Sequence, residues 1–188
     1  MALSTTATTT QAPALTTWSI DPAHSHVEFA VKHLMISTVK GRFGIVGGTV
    51  RTDDADPAKA DVDVEIDANS IDTRQEQRDA HLKSADFFDV EKFPKLTFKS
   101  TRVHDVDGDA FKLTGDLTIH GVTRPITLDV TSEGRGKDPW GGERSGFSAT
   151  GKIKRSEFGL TWNQVLEAGG FAVGDDIKIS LDVELIKQ

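Results

Sequence analysis

The sequence predicts an all-β protein, an antiparallel barrel of about eight strands with one or two short helical insertions. Three observations predict it. Apolar and polar residues alternate in one segment after another. The last shows it most plainly, with Ile177, Ile179, Leu181, Val183 and Leu185 set between Lys178, Ser180, Asp182 and Glu184. Period-two spacing puts every apolar side chain on one side of a strand. Turn signals separate these segments at regular intervals, as in a barrel or sandwich. Glycines interrupt strand-like runs at Gly44, Gly47 and Gly48, where barrel corners need bulges or sharp curvature. One-faced strands have to bury a common face, and a closed barrel does so without open edges.

Taken in order, residues 1–16 are rich in Thr and Ala and read as a disordered tail, leaving residues 17–188 as one barrel domain. The first strand is expected over Trp18–Lys32, interrupted near Pro22, with Val27, Phe29 and Val31 on one face. The second covers Gly41–Thr52. The third places Val62, Val64 and Ile66 opposite Asp61, Asp63, Glu65 and Asp67. Thr73–Ser84 breaks the pattern: it is charged, and Asp72 or Thr73 is suited to cap a short helix ending near Lys83. Phe93-Pro94 forces an extended or turn conformation before a fourth strand carrying Leu96 and Phe98.

Asp105–Asp109 reads as a turn around Gly108. Phe111, Leu113, Leu117 and Ile119 define the fifth strand, which His120-Gly121 closes. Ile126, Leu128 and Val130 open the sixth, and Gly134–Gly142 reads as a loop. Phe147, Ala149, Gly151 and Ile153 alternate in the seventh. Glu157–Gly170 is a second, partly helical break before the final strand. Gly115, Ala149 and Gly151 fall on the inward face, and small interior residues favour a cavity. Barrels of this size either fill with side chains or hold one small ligand, and periodicity alone does not separate the two.

Composition excludes several function classes. The 188 residues contain no cysteine, so there is no disulfide, thiol nucleophile or zinc–thiolate site. The net charge of -7 argues against a surface that tracks nucleic-acid phosphates or docks on anionic lipid. No segment approaches the roughly 20 apolar residues of a membrane helix, so no stable membrane insertion is expected. The N-terminus has neither a basic region nor a continuous apolar run, so no signal peptide is visible and a cytoplasmic location is expected.

Several constellations invite a sharper chemistry. His24-x-His26, with Glu28 on the same face, has chelating spacing on a strand. Spacing fixes no third ligand, so polar hydrogen-bonding residues are the plainer reading and no metal is expected. Arg78, Asp79 and His81 suggest acid–base work, against the plainer reading of an exposed helix with a structural ion pair. Ser25 points away from its neighbouring histidines on a strand, which argues against a nucleophile. The acidic runs at 53–56 and 61–63 do not match an EF-hand loop. Trp18 suits a plug at one barrel end, Trp140 sits on a loop, and Trp162 lies in the second break near Phe158 and Leu160. Packing is the plainer role for all three.

Many segments together resemble the YceI-like family. Trp18-Ser-Ile-Asp-Pro-Ala-His-Ser-His-Val-Glu-Phe, Lys32-His33 and Gly41-Arg42-Phe43 look like its opening. Ser70-Ile71-Asp72-Thr73, Arg78-Asp79-Ala80-His81-Leu82-Lys83, Asp86-Phe87-Phe88-Asp89 and Phe93-Pro94 follow in order. Gly115-Asp116-Leu117-Thr118-Ile119-His120-Gly121-Val122-Thr123-Arg124-Pro125 and Arg155-Ser156-Glu157-Phe158-Gly159 complete the match, from about Trp18 to Leu185. The resemblance implies a lipocalin-like barrel that holds a long polyisoprenoid or isoprenoid quinone in an apolar tunnel, with no catalytic residues and no cofactor beyond the bound lipid.

On that reading Phe29, Val31, Phe43, Phe98, Leu113, Leu117, Ile126, Leu128, Phe147 and Phe158 form the tunnel wall. Arg78, His81, Arg155 and Trp162 are candidates for the rim or the ligand's head group. Relatives often pair, so a homodimer is open. The alternatives are a solid-cored structural or interaction barrel without lipid, and an enzyme acting on an isoprenoid quinone. Transport, storage and stress protection are not separated by the sequence.

Overall fold

The computed structural model describes residues 15–53, 56–167 and 169–188. Most of the expected tail lies outside these residues, and Thr16 already opens the first strand. Ten strands are described: β1 (Thr16–Ile20), β2 (His26–His33), β3 (Ser37–Phe43), β4 (Ile45–Thr52), β5 (Asp61–Asp67), β6 (Lys95–Asp107), β7 (Ala110–Ile119), β8 (Val122–Lys137), β9 (Glu143–Lys154) and β10 (Val173–Lys187). Helix α1 spans Glu76–Lys83.

The strands close into an antiparallel ring of eight staves. The order runs β1-β4-β5-β6-β7-β8-β9-β10, and β10 returns to β1. β1 and β2 together form one interrupted stave: β10 pairs with β2 from Ile177↔Val31 to Asp182↔His26, then with β1 at Leu185↔Ile20 and Lys187↔Trp18. The break falls at Pro22, which has no N–H for the ladder. Asp21 holds this break, accepting bonds from the Ala23 amide (2.9 Å) and from Arg144 (2.8 Å). The second stave starts at Ser37, earlier than Gly41, and breaks at Gly44 into β3 and β4.

Three other boundaries differ from the sequence reading. β6 runs on to Asp107, β8 to Lys137, and β9 begins at Glu143. Cross-strand pairing persists through the expected loops, as at Gly136↔Arg144 and Lys137↔Glu143, after a register shift between Ser132 and Gly134. The bulge absorbs the glycine instead of ending the strand. His120 and Gly121 both have positive φ (52° and 72°), the conformation of a two-residue hairpin turn that follows the strand twist.

β5 stops at Asp67, and residues 68–94 cover the space beyond it. Asp72 exchanges two backbone hydrogen bonds with Arg42 of β3, each 3.0 Å. The cap of α1 is Gln75, whose side chain accepts the Arg78 amide, and not Asp72 or Thr73. Those two are otherwise engaged. Asp72 accepts the Arg74 amide (2.8 Å), and the Thr73 hydroxyl takes the Arg78 Nε–H (2.7 Å) and donates to Asp79. The second break contains one short 3-10 turn, Arg155–Phe158, and is otherwise irregular up to β10.

Antiparallel closure sorts the connections onto two ends. The β4–β5 connection, the β6–β7 turn at Gly108 and the β8–β9 loop share one end. The β2–β3 turn, residues 68–94, the His120-Gly121 turn and residues 155–172 share the other.

Candidate functional site

The inward faces of the staves do not meet across the axis. They enclose a cavity of about 640 Å³. On β10 the inward residues Ile177, Ile179, Leu181 and Val183 line it and stay only half-buried, although the first three pair with β9 on one side and β2 on the other. In a solid core they would be fully covered. The cavity is the reason they are not, and a side-chain-filled barrel is not what this sequence builds.

All ten residues expected in the tunnel wall line this cavity. Phe29 and Val31 come from β2, Phe43 from β3, Phe98 from β6, Leu113 and Leu117 from β7, Ile126 and Leu128 from β8, and Phe147 from β9; Phe158 comes from the 3-10 turn. The expected wall omits the β10 row, and also Val62, Val64 and Phe111. The signal was present, because the same alternation that identifies β10 as a strand also assigns its apolar face.

The expected role of the small inward residues holds for only one of three. Ala149 lines the cavity. A Cβ on Gly115 would lie 2.4 Å from the Phe98 ring, and one on Gly151 would lie 2.6 Å from a Leu128 methyl. Those glycines make room for wall side chains and leave no void of their own.

The cavity has one open end. Apart from Glu28 on β2, the exposed liners are Val106, Gly108, Asp109 and Arg135, from the end of β6, the β6–β7 turn and the last residues of β8. Trp18 is buried at this same end. Its indole N–H donates to Thr52 (3.0 Å), and the Arg135 guanidinium lies 5.1 Å from its ring centre. At the other end Phe87, Phe158, Leu160 and Arg155 line the cavity and are buried, Phe158 completely. The two insertions therefore form a floor.

The four residues expected at a rim all lie at this closed end. His81 bonds Asp86 (2.8 Å), and its ring packs edge-on against Phe87 and Trp162 at 5.1 and 4.7 Å. Arg78 donates to the hydroxyl and carbonyl of Thr73. Arg155 reaches the cavity, but its guanidinium donates to the carbonyls of Gly174 (2.9 Å), Leu160 (2.6 Å), Trp162 (2.8 Å) and Val173 (3.3 Å). Burial pushes its pKa down from the ordinary value. Arg155 thus ties the second insertion to the start of β10. Trp162 packs against His81 of α1 and against Phe87, whose ring centre lies 5.3 Å away, and does not line the cavity.

Outside the barrel, Asp21, His24 and Glu184 place ligand-type atoms within 4.8 Å of one another. Arg144 already bonds both carboxylates and also takes Asp138 (2.9 Å). His24 bonds Asp21 (2.9 Å), whereas His26 reaches Asp182 (3.2 Å), so the two histidines do not converge on one point. The bonds from His24, Ala23 and Arg144 hold the Asp21 carboxyl down at about 2. Ser25 is buried and accepts the Glu184 amide (3.0 Å), a structural role.

Comparison with known proteins agrees with this geometry. The family model for the YceI-like domain matches residues 18–185. The chain belongs to the YceI family. Protein YceI of Salmonella newport is 46% identical over 138 residues, covering 73% of this chain and 72% of that relative. Among solved structures, BcnA of Burkholderia cenocepacia superposes with a TM-score of 0.76 at 25% identity, covering 88% of this chain and 98% of BcnA. A polyisoprenoid binding domain from Saccharophagus degradans shares the fold, with a TM-score of 0.62 at 15% identity, covering 91% and 98%. The YceI fold in this chain is thus a barrel with an apolar cavity, a floor built by two insertions and a single mouth.

Chemically, the cavity suits an apolar guest. Among the described residues its ionisable liners are Glu28, Asp53, Asp109, Arg135 and Arg155, and the rest are overwhelmingly aliphatic or aromatic. At about 30 Å³ for a group the size of one water, 640 Å³ accommodates about 20 carbon-sized groups. That corresponds to roughly four five-carbon isoprene units.

Proposed function

We propose that this protein is a non-catalytic carrier that sequesters a long-chain polyisoprenoid lipid or isoprenoid quinone, its tail inside the barrel and its polar head at the mouth. The observation that carries the reading is the half-buried apolar lining of a one-mouthed cavity. An apolar cavity of this size favours an apolar occupant over ordered water, which needs polar partners. Burying about 20 carbons is worth up to about 16 kcal/mol gross, at roughly 0.8 kcal/mol each. Losing tail and overall freedom offsets much of that. The remainder favours a ligand that survives purification.

Membership of the YceI family and the likeness to a polyisoprenoid binding domain support this choice of guest. A non-catalytic role is supported by the lining itself. Acid–base work needs a polar, pKa-shifted pair in the cavity, and Arg155, whose pKa burial lowers, is held by four carbonyls. The experiment is denaturing extraction of the untreated recombinant protein followed by mass spectrometry. A stoichiometric prenyl-chain lipid is the expected result. No extractable lipid, together with no binding of added prenyl chains, refutes the proposal.

A further inference from the structure

The closed end carries an apolar surface that the cavity does not explain. Leu34 and Met35 join β2 to β3, and their φ values are 52° and 60°. The Ile36 amide donates to the His33 carbonyl (3.2 Å) and closes the turn. A two-residue turn with both central residues at positive φ favours Asn-Gly, and bulky side chains there are strained. Leu34, Met35 and Ile36 occupy it instead, with Met35 and Ile36 65% and 83% exposed. The second insertion extends the patch. The Leu34 amide donates to the Ala172 carbonyl (2.8 Å), and the adjacent Phe171 forms a β-bridge with Val165. Both of these side chains are exposed. Among the described residues the other exposed large apolar side chains, Leu15, Val106 and Trp140, lie at the mouth end.

Lysines cover the barrel face beside this tip. Lys32 on β2, Lys40 on β3, Lys178 on β10, and Lys152 and Lys154 on β9 are exposed on the outer face. Lys152 pairs with Lys178, Lys178 with Ala30 and Ala30 with Lys40, so three lysines stand in one cross-strand row. Like charges placed opposite each other cost stability. Asp176 bonds Lys152 (2.8 Å), Asp175 accepts from Ser156 (2.8 Å), and Glu28 lies one row toward the mouth. The insertions bring further charges. Glu167 is exposed, and Glu157 offers its carbonyl to Arg124. Around α1, Asp72, Asp79, Asp86 and Asp89 are bonded to Arg42, Thr73, His81 and Lys92. Glu76 and Glu91 stand there with Arg74, Arg78 and Lys83. Cations and carboxylates roughly balance at this end, so the chain's net charge of -7 is carried mainly elsewhere.

We infer that this tip docks the protein on a lipid bilayer. Leu34, Met35, Ile36, Val165 and Phe171 enter the boundary between head groups and acyl chains, and the neighbouring lysines meet lipid phosphates. Shape and charge both favour a membrane over a second copy of the chain. Successive apolar side chains on a hairpin end form a wedge, which suits a deformable phase. An isologous pair centred on the tip would set Lys32 and Lys40 against their own counterparts. Docking uses nothing of the cavity, whose mouth is at the far end, so the inference is independent of the carrier reading.

The test is co-sedimentation of the full chain, as purified and stripped of lipid, with phosphatidylcholine vesicles containing about a third phosphatidylglycerol. Both forms are expected to bind, and molar salt weakens binding without abolishing it. Leu34→Asn with Met35→Gly supplies the residues this turn favours, so the melting temperature holds or rises while vesicle affinity falls at least tenfold. Lys32→Thr and Lys40→Thr each cost about fivefold at low salt. Val106→Ser with Trp140→Ser, at the mouth end, leaves vesicle binding unchanged. No vesicle binding, full binding by the L34N/M35G variant, or loss of binding in the mouth-end variant overturns the inference. A dimer that L34N/M35G dissolves, in protein that binds no vesicles, overturns it in favour of self-association.

Discussion

Ala149→Phe separates ligand binding from folding. Ala149 sits on β9 between Val130 of β8 and Leu181 of β10, half-buried and facing the cavity. The substitution adds a six-carbon ring in space that now holds no side chain. With room for about 20 carbon-sized groups, the ring displaces roughly a third of a bound tail. At roughly 0.8 kcal/mol per carbon, about 5 kcal/mol of gross ligand burial is lost. The tail recovers part of this by sliding toward the mouth, so at least a tenfold loss of affinity is expected. The lipid-free protein gains buried apolar surface, so its melting temperature holds or rises. The assay is a prenyl-alcohol titration alongside thermal unfolding of lipid-free protein. Unchanged affinity in a folded variant refutes the claim that the tail runs past Ala149. A large fall in melting temperature refutes the claim that this space is empty.

Other expectations concern the floor and the seam at Asp21. Phe158→Ala removes a fully buried ring from the floor and should cost about 3–5 kcal/mol in denaturant unfolding. Arg155→Met leaves four carbonyls without their donor. Amide exchange should then accelerate over residues 156–173 and at the start of β10, with β5 to β8 unchanged. A loss of ligand affinity without that local opening would mean Arg155 contacts the head group instead. The Asp21 carboxyl, held at about 2 against an ordinary 3.8, contributes stability that is present above about pH 4 and lost as pH falls through 2. The His24 pKa is raised mainly by its bond to Asp21. Its contribution is full below pH 6.5 and fades as pH rises through the folded-state value. Thermal melts across pH should show both limbs, and Asp21→Asn should flatten both.

Most of the wall was legible in the sequence, because facing is a local property. In a strand, successive side chains point to opposite sides, so Phe29 and Val31, or Leu113 and Leu117, declare their common face without reference to the rest of the chain. The β10 row was equally legible. Boundaries were less so at Gly134, where a bulge keeps the ladder running to Lys137, since whether a glycine ends a strand depends on its cross-strand partner. The helix cap shifted to Gln75 partly for a similar reason: Asp72 is taken by Arg42, which only the folded chain brings near, while Thr73 is engaged by Arg78 and Asp79 of the helix itself.

By itself, then, the sequence determined an antiparallel barrel, its inward faces and the family to which it belongs. Only the tertiary structure decided that the interior is hollow, that Gly115 and Gly151 are filled by Phe98 and Leu128, and that the mouth lies at Gly108 while Arg155 serves the floor. The physical reason is range. Periodicity reports which way a side chain points. Whether opposing side chains touch depends on the width of the closed ring and on how far insertions fold over its ends, and both are set by contacts between residues distant in the chain.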